Sequence, residues 1–242
     1  DASAVAVIGM AGRFPQAANL EAYWRNLLSG RVCIEEIPPQ RWPLEGFYDA
    51  DPQRAGASYS KWGGFIDGVD RFDALFFNIS PEEAARMDPQ ERLFLEVAWQ
   101  CLEDAGLTRA ALGAAGERDT AVYVGVMYGD YQLLAHDAAG PGQPIGGAAP
   151  YWSIANRASY VLGLEGPSLA VDSACSSSLT ALHLACQALA AGDCRTALVG
   201  GVNLSLHPSK YIGLSQGRFA SSDGRCRSFG DGGDGYVPGE GV

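Results

Sequence analysis

The sequence has no long apolar run and no secretory pattern at its start. A membrane-spanning helix needs about 20 predominantly apolar residues, and no apolar run of that length occurs here. A signal peptide combines a positively charged region with a following apolar one, and the first residues contain no such pair. We therefore expect neither a membrane span nor a signal peptide.

Clusters of basic residues are also missing. The 17 Lys and Arg residues are scattered among 28 Asp and Glu residues, which gives a formal net charge of −11. Because a nucleic-acid-binding protein presents a basic face, this class of function is disfavoured. The apolar content of 47% excludes a disordered chain. The 242 residues are enough for one large α/β domain or two small ones.

The six cysteines include no CxxC pair, and a chain of this length needs no disulfides to fold. The pattern predicts neither a structural zinc site nor a disulfide framework. We expect a reduced, cytoplasmic protein without a bound metal. The first residue is Asp1 rather than Met, which indicates an excised, processed or trimmed piece of a longer protein.

Predicted strands and helices alternate along the chain. Apolar runs predict strands at 4–9, 121–125, 168–171 and 196–200. Capping residues and helical periodicity predict helices at 20–29, from Ser80, at 88–105, at 153–162 and at 176–191. Residues 138–150 read as an ordered loop, and the aromatic-rich residues 31–70 as a packed loop excursion. The alternation predicts an α/β fold whose sheet is covered by helices on both faces.

Cys175 lies where the predicted strand 168–171 turns into the predicted helix 176–191. Unpaired N–H groups and the helix dipole at a helix N-terminus favour a thiolate and lower the pKa of a cysteine below about 8.5. The same N–H groups can bind an oxyanion when a thioester carbonyl is attacked. These residues alone leave a second interpretation open, in which Cys175 is only a small buried apolar residue.

None of the three histidines lies in a recognisable position for a catalytic base. His183 lies eight residues beyond Cys175, which places it roughly 12 Å further along the helix axis at 1.5 Å per residue. His136 precedes an Ala/Gly-rich loop and His207 precedes Pro208, so we assign all three to structural or surface positions. A papain-like cysteine protease is disfavoured, because its cysteine signature and its downstream His/Asn pair are not found.

The residues around Cys175 belong to a series of distinctive blocks spread over the chain. The blocks are VIGMAGRFP at 7–15, ISPEEA at 79–84, MDPQER at 87–92, NRASY at 156–160, VDSACSSSL at 171–179, DGRCRSF at 223–229 and GYVPGEG at 235–241. Together they resemble the β-ketoacyl synthase (ketosynthase) domains of modular polyketide synthases. The last block is most similar to synthases whose acyltransferase acts in trans.

This resemblance implies a thiolase-like, layered αβαβα fold, of which residues 1–242 supply roughly the first half, and a homodimer whose subunits pair beside strand 168–171. It implies that Cys175 accepts an acyl chain from the phosphopantetheine arm of an acyl carrier protein. A malonyl-type carrier thioester is then decarboxylated, and its carbanion attacks the acyl thioester. No bound cofactor is implied.

The resemblance also shows what this chain lacks. Family members have two catalytic histidines and a lysine in the half that follows the Gly-Glu-Gly segment, whereas this sequence ends at Val242. We therefore expect that the chain alone does not complete the condensation. The leading hypothesis is a separate chain that supplies the C-terminal half. The alternatives are an excised fragment and a stand-alone protein with a ketosynthase-like fold, which would act in acyl transfer or as a scaffold.

Four further residues are candidates for the site. Met127 and Tyr128 follow a predicted strand. The resemblance to ketosynthases implies that this position faces the acyl chain near the dimer interface, and ordinary interface packing is the alternative. Asn156 and Arg157 are candidates to order the loop ahead of the nucleophile strand, with general structural support as the alternative.

The segment GDGGDG at 230–235 satisfies the pattern G-x-G-x-x-G literally. A dinucleotide site of this type opens a helix, whereas Pro238 and Gly239 follow here. Asp231 and Asp234 would also repel a pyrophosphate. We therefore predict a tight turn and no nucleotide or calcium site.

Overall fold

The computed structural model describes residues 4–108, 111, 119–139 and 150–242. The helices of this part are α1 Leu20–Leu28, α2 Pro81–Arg86, α3 Pro89–Asp104, α4 Tyr131–Ala138, α5 Tyr151–Leu162, α6 Ser177–Ala191 and α7 Ser209–Gln216. The strands are β1 Glu35–Glu36, β2 Trp62–Gly63, β3 Thr120–Gly125, β4 Ser168–Val171 and β5 Thr196–Gly201. None of the described helices is long and apolar enough to cross a membrane.

A parallel sheet with the strand order β4-β3-β5 forms the centre of the described structure. Successive side chains of a strand point to opposite faces, and every residue of β3 is buried. Val122 and Val124 pack in one cluster with residues of α3 and α5. Ala121 and Tyr123 pack in another with the alanines of α6. The prediction of an α/β sheet covered on both faces is confirmed.

The helix ends agree with the capping signals in the sequence. The side chains of Asn19, Ser80 and Asp88 accept backbone N–H bonds at the starts of α1, α2 and α3. Gly163 and Gly192 adopt left-handed backbone conformations at the ends of α5 and α6. Helix α5 begins two residues earlier than the predicted Ser153. The predictions for these helices are otherwise confirmed, whereas α4 and α7 were not predicted.

Residues 31–70 contain little regular structure but many buried aromatic contacts. Trp42 and Phe65 form a cluster with Tyr211 of α7, and the rings of Trp42 and Tyr211 meet edge to face with centroids 5.4 Å apart. Tyr59 packs against Leu214 and donates a hydrogen bond to the carbonyl of Ala220. Residues 31–70 are therefore packed against α7 and the residues that directly follow it.

The predicted strand at residues 4–9 is wrong. The backbone there is irregular, and Val7 and Ile8 are 75% and 59% exposed. An apolar run forms a strand only beside another strand that accepts its hydrogen bonds, and no strand of the described residues pairs with it. Of the predicted loop 138–150, residues 140–149 lie outside the described part of the chain.

Candidate active site

Cys175 lies at the edge of the sheet where the parallel strands end, between β4 and α6, and its side chain is exposed. The preceding Ala174 has φ +56°, a left-handed conformation that is uncommon for a residue with a Cβ atom. Asp172 stabilises this turn, because its carboxylate accepts the N–H of Ala174 at 3.0 Å. In the described structure Cys175 is thus an exposed thiol and not a buried apolar residue, whereas its role as a nucleophile stays a prediction.

Serine side chains complete the turn. Ser177 accepts the N–H of Ser173 at 3.0 Å and donates to the carbonyl of Ala174 at 2.6 Å. Ser176, the first residue before α6, provides no side-chain cap for the helix. The positive end of the α6 dipole therefore lies beside Cys175, where it favours an anion.

Two glycines allow α6 to approach the sheet. A Cβ atom on Gly125, the last residue of β3, would lie 2.5 Å from the amide nitrogen of Ser178. A Cβ atom on Gly201, the last residue of β5, would collide with the Ser178 hydroxyl. Neither glycine was predicted as a site residue; the available signal was the glycine at the end of each strand.

Met127 and Tyr128 follow β3 at the same edge of the sheet and are half-buried. The carbonyl of Met127 accepts the hydroxyl of Tyr151 at 2.9 Å, and the carbonyl of Tyr128 accepts the side-chain amide of Gln90 at 2.6 Å. Burial raises the pKa of the Tyr128 hydroxyl, and the negative charge of Asp130 raises it further.

Lys210 of α7 lies beside Tyr128 and was also missed. Its ammonium nitrogen is 4.3 Å from the centroid of the Tyr128 ring, and it donates to the side-chain oxygen of Asn203 at 2.8 Å. Burial lowers the pKa of Lys210 to about 8, while the charges of Asp130 and Glu240 act in the opposite direction. The available signal was compositional, since Lys210 is one of only two lysines in the chain.

The histidines lie elsewhere. His136 and His183 are exposed. His207 accepts the N–H of Ser209 at Nδ1 and therefore donates from Nε2 to Asp137, at 2.9 Å. Among the described residues no hydrogen bond or ion pair joins a histidine to Cys175, and no group of three His, Cys, Asp or Glu side chains is arranged to bind a metal.

Arg157 connects three helices. Its guanidinium bonds to Glu91 of α3 at 2.9 Å and to Glu83 of α2 at 2.6 Å, whereas Asn156 is exposed. The contacts of Arg157 thus position α5, which precedes β4. The role of both residues in ordering the intervening loop stays a prediction.

The glycine-rich segment 230–235 forms turns and bends and is not followed by a helix. Its Asp234 accepts the N–H of Ser222, and the backbone of Gly235 lies directly against that of Ala220. The prediction of a tight turn is confirmed.

Comparison with known proteins identifies the class. The family described as beta-ketoacyl synthase, N-terminal domain, matches residues 2–242, and the chain belongs to this family. Two particular relatives are polyketide synthases. ThaG of Burkholderia thailandensis is 59% identical over 241 residues, which are 100% of this chain and 4% of ThaG. PksL of Bacillus subtilis is 53% identical over 242 residues, covering 98% of this chain and 5% of PksL.

Solved structures give the same result. The oxazolomycin ketosynthase domain OzmH KS7 of Streptomyces albus JA3453 matches with a TM-score of 0.92 and 54% identity, covering 97% of this chain and 40% of that one. The ketosynthase from module 6 of the bacillaene synthase of Bacillus subtilis 168 matches with a TM-score of 0.85 and 40% identity, covering 98% and 38%. The fold is the N-terminal half of a thiolase-like ketosynthase, which supports β-ketoacyl synthase function in polyketide biosynthesis.

Proposed function

We propose that Cys175 is the acyl-accepting nucleophile of a β-ketoacyl synthase that elongates a polyketide. The observation that carries this proposal is the exposed thiol at the N-terminus of α6, behind the left-handed turn at Ala174. This geometry presents a sulfur atom to an incoming thioester, with the helix N-terminus directly beside it.

In the first step, the thiolate of Cys175 attacks the carbonyl carbon of an acyl group on the phosphopantetheine arm of an acyl carrier protein. The oxyanion that forms is stabilised by N–H donors, for which the first turn of α6 is the local candidate. Collapse of the intermediate breaks the carbon–sulfur bond to the arm, whose thiolate leaves and takes up a proton. The acyl group is then a thioester of Cys175.

In the second step, a malonyl-type carrier thioester loses carbon dioxide, and its carbanion attacks the acyl carbonyl and expels the thiolate of Cys175. We propose that this step uses no metal or bound cofactor. His136, His183 and His207 do not serve it, because within the described residues none of them is hydrogen-bonded or ion-paired to Cys175, and His207 is bonded to Asp137. The decarboxylation histidines then belong to the C-terminal half of the ketosynthase. Its supply by a separate chain stays a prediction.

We also propose a homodimer that pairs along β4. This strand bonds to β3 on one side, and within the described residues its other edge has no strand partner. Leu169 of β4 and Leu179 of α6 are 49% and 73% exposed. The cytoplasmic location and the trans-acyltransferase type stay predictions.

A scaffold without catalysis is the second candidate, and one observation favours it. Helix α1 buries none of its residues and exposes Trp24, Leu27 and Leu28, an apolar surface that fits protein contacts. A scaffold, however, does not need a reactive thiol at Cys175.

The deciding experiment is mass spectrometry of the native protein after exposure to a small acyl thioester. We expect one acyl adduct, mapped to Cys175 and lost in Cys175→Ala. Cys226→Ser is the matched control, because Cys226 is also exposed and should not affect the adduct. An adduct that persists in Cys175→Ala, or no adduct in the wild type, would contradict the proposal.

A further inference from the structure

Lys210 is a buried cation that has no role in the reaction proposed above. Its side chain extends from α7 and is only 6% exposed as a residue. Its hydrogen-bond acceptors are two neutral oxygens, the side chain of Asn203 at 2.8 Å and the carbonyl of Leu204 at 3.1 Å. An ammonium has three N–H donors, so one remains for another neighbour.

That neighbour is the ring of Tyr128, whose centroid lies 4.3 Å from the Lys210 nitrogen. A cation over an aromatic face is attracted by the ring quadrupole, and the attraction is stronger when the cation is desolvated, as Lys210 is. The backbone of Tyr128 is already held by Gln90, which donates to its carbonyl. Lys210 therefore restrains the side-chain ring of Tyr128, which the hydrogen bond from Gln90 to the backbone carbonyl leaves free to rotate.

Tyr128 and Cys175 follow two paired parallel strands: Gly125, the last residue of β3, pairs with Val171, the last residue of β4, so both residues lie at the end of the sheet where these neighbouring strands stop. We propose that Lys210 is a positioning residue: it fixes the ring of Tyr128 beside Cys175 and thereby sets which acyl chains Cys175 accepts. This inference rests on the proposed function of Cys175. A ring held in one rotamer limits the space for an acyl chain, whereas a released ring samples other rotamers.

The test compares two acyl thioesters of different size, acetyl- and hexanoyl-N-acetylcysteamine, on the native protein. The measured quantity is the ratio of their rate constants for acylation of Cys175. We expect Lys210→Met to change this ratio by at least about threefold, the factor that corresponds to the lower end of cation–π energies. Lys210→Arg retains a cation and should keep the ratio within about twofold of the wild type.

The ratio separates positioning from stability. Partial unfolding lowers both rate constants equally and leaves the ratio unchanged. Tyr128→Leu should shift the ratio in the same direction as Lys210→Met, and adding Lys210→Met to Tyr128→Leu should produce no further shift. If Lys210→Met does not fold, Lys210→Gln, which can still donate to Asn203, replaces it in the same comparison with Tyr128→Leu.

Each result is decisive. An unchanged ratio in the folded Lys210 variants, or an equal shift in the Tyr128→Leu background, would overturn the positioning role while leaving Cys175 as the nucleophile. Absence of any adduct on Cys175 in the wild type would instead overturn the proposed function and the positioning role with it.

Discussion

Gly125 at the end of β3 lies against Ser178 in the first turn of α6, so closely that a Cβ atom on Gly125 would be 2.5 Å from the Ser178 amide nitrogen. Real Cβ atoms do not approach a backbone nitrogen to that distance. The first turn of α6 follows Cys175 directly. The contact between strand and helix therefore sets where Cys175 lies relative to the sheet.

Gly125→Ala should displace the first turn of α6. Because neither the β3 backbone nor the α6 backbone can move at low energetic cost, we expect a loss of about 1–3 kcal/mol in the free energy of unfolding. We also expect slower acylation of Cys175. Urea denaturation and the adduct rate measure the two effects. Gly213→Ala in α7 is the control, since its added Cβ atom would meet nothing within 4 Å. It should stabilise the protein by about 0.5–1 kcal/mol. Wild-type behaviour of Gly125→Ala would refute this account.

The parts of the fold that depend on neighbouring residues were predictable. The caps at Asn19, Ser80 and Asp88 are local signals, since each side chain bonds to an amide two or three residues later. The turn at Cys175 was predictable for the same reason, because a short apolar strand directly precedes a helix there. These signals placed Cys175 at the N-terminus of a helix without any knowledge of the tertiary structure, whereas its role as a nucleophile is implied by the family resemblance and stays a prediction.

The parts that depend on distant residues were not predictable. Lys210 meets Tyr128 across 82 positions of the sequence, and nothing in the local sequence of either residue indicates the contact. The error at residues 4–9 has the same cause, because whether an apolar run forms a strand depends on a neighbouring strand from elsewhere in the chain. Local patterns therefore predicted the turn that contains Cys175 but not the residues that surround it.

Arg157→Met should destabilise the protein strongly. Glu91 is nearly buried, with 3% of its side chain exposed, and loss of the guanidinium leaves this carboxylate without its cation. We expect a loss of about 3–5 kcal/mol, measured by urea denaturation. Arg86→Met is the control, because Arg86 and Glu82 form an exposed pair that is worth less than about 1 kcal/mol. Equal losses in both variants would contradict this prediction.

Glu240→Gln should weaken the packing of Glu240 against the aromatic-rich residues 31–70, although the backbone bonds of Gly64 to Pro238 and Glu240 remain. The carboxylate of Glu240 is fully buried and accepts Arg41 at 2.8 Å, the N–H of Ile66 at 2.7 Å and the N–H of Ser205 at 2.9 Å. Removing its charge leaves Arg41 as an unpaired, largely buried cation, at a cost of about 3–5 kcal/mol. Glu21→Gln, in an exposed pair with Arg25, should cost less than about 1 kcal/mol. A Glu240 variant as stable as the Glu21 variant would show that this network does not stabilise the fold.

Asp88→Asn should change how stability depends on pH. Burial raises the pKa of Asp88 from 3.8 to about 6, so the folded state binds more protons than the unfolded state between these values. The stability that Asp88 contributes is therefore present below about pH 4 and is lost as the pH rises through about 6. Asn caps a helix as well as Asp does, but it does not titrate.

The free energy of unfolding of the wild type, minus that of Asp88→Asn, should accordingly fall by about 2 kcal/mol between about pH 4 and pH 7. Chemical denaturation at several pH values measures this difference, and the subtraction removes the titration of the other carboxylates. Asp223→Asn is the control. Hydrogen bonding to Arg227 lowers the pKa of Asp223 to about 2, so its difference from the wild type should stay flat above about pH 5. A flat difference for Asp88→Asn would mean that its carboxylate ionises in the fold as readily as it does in water.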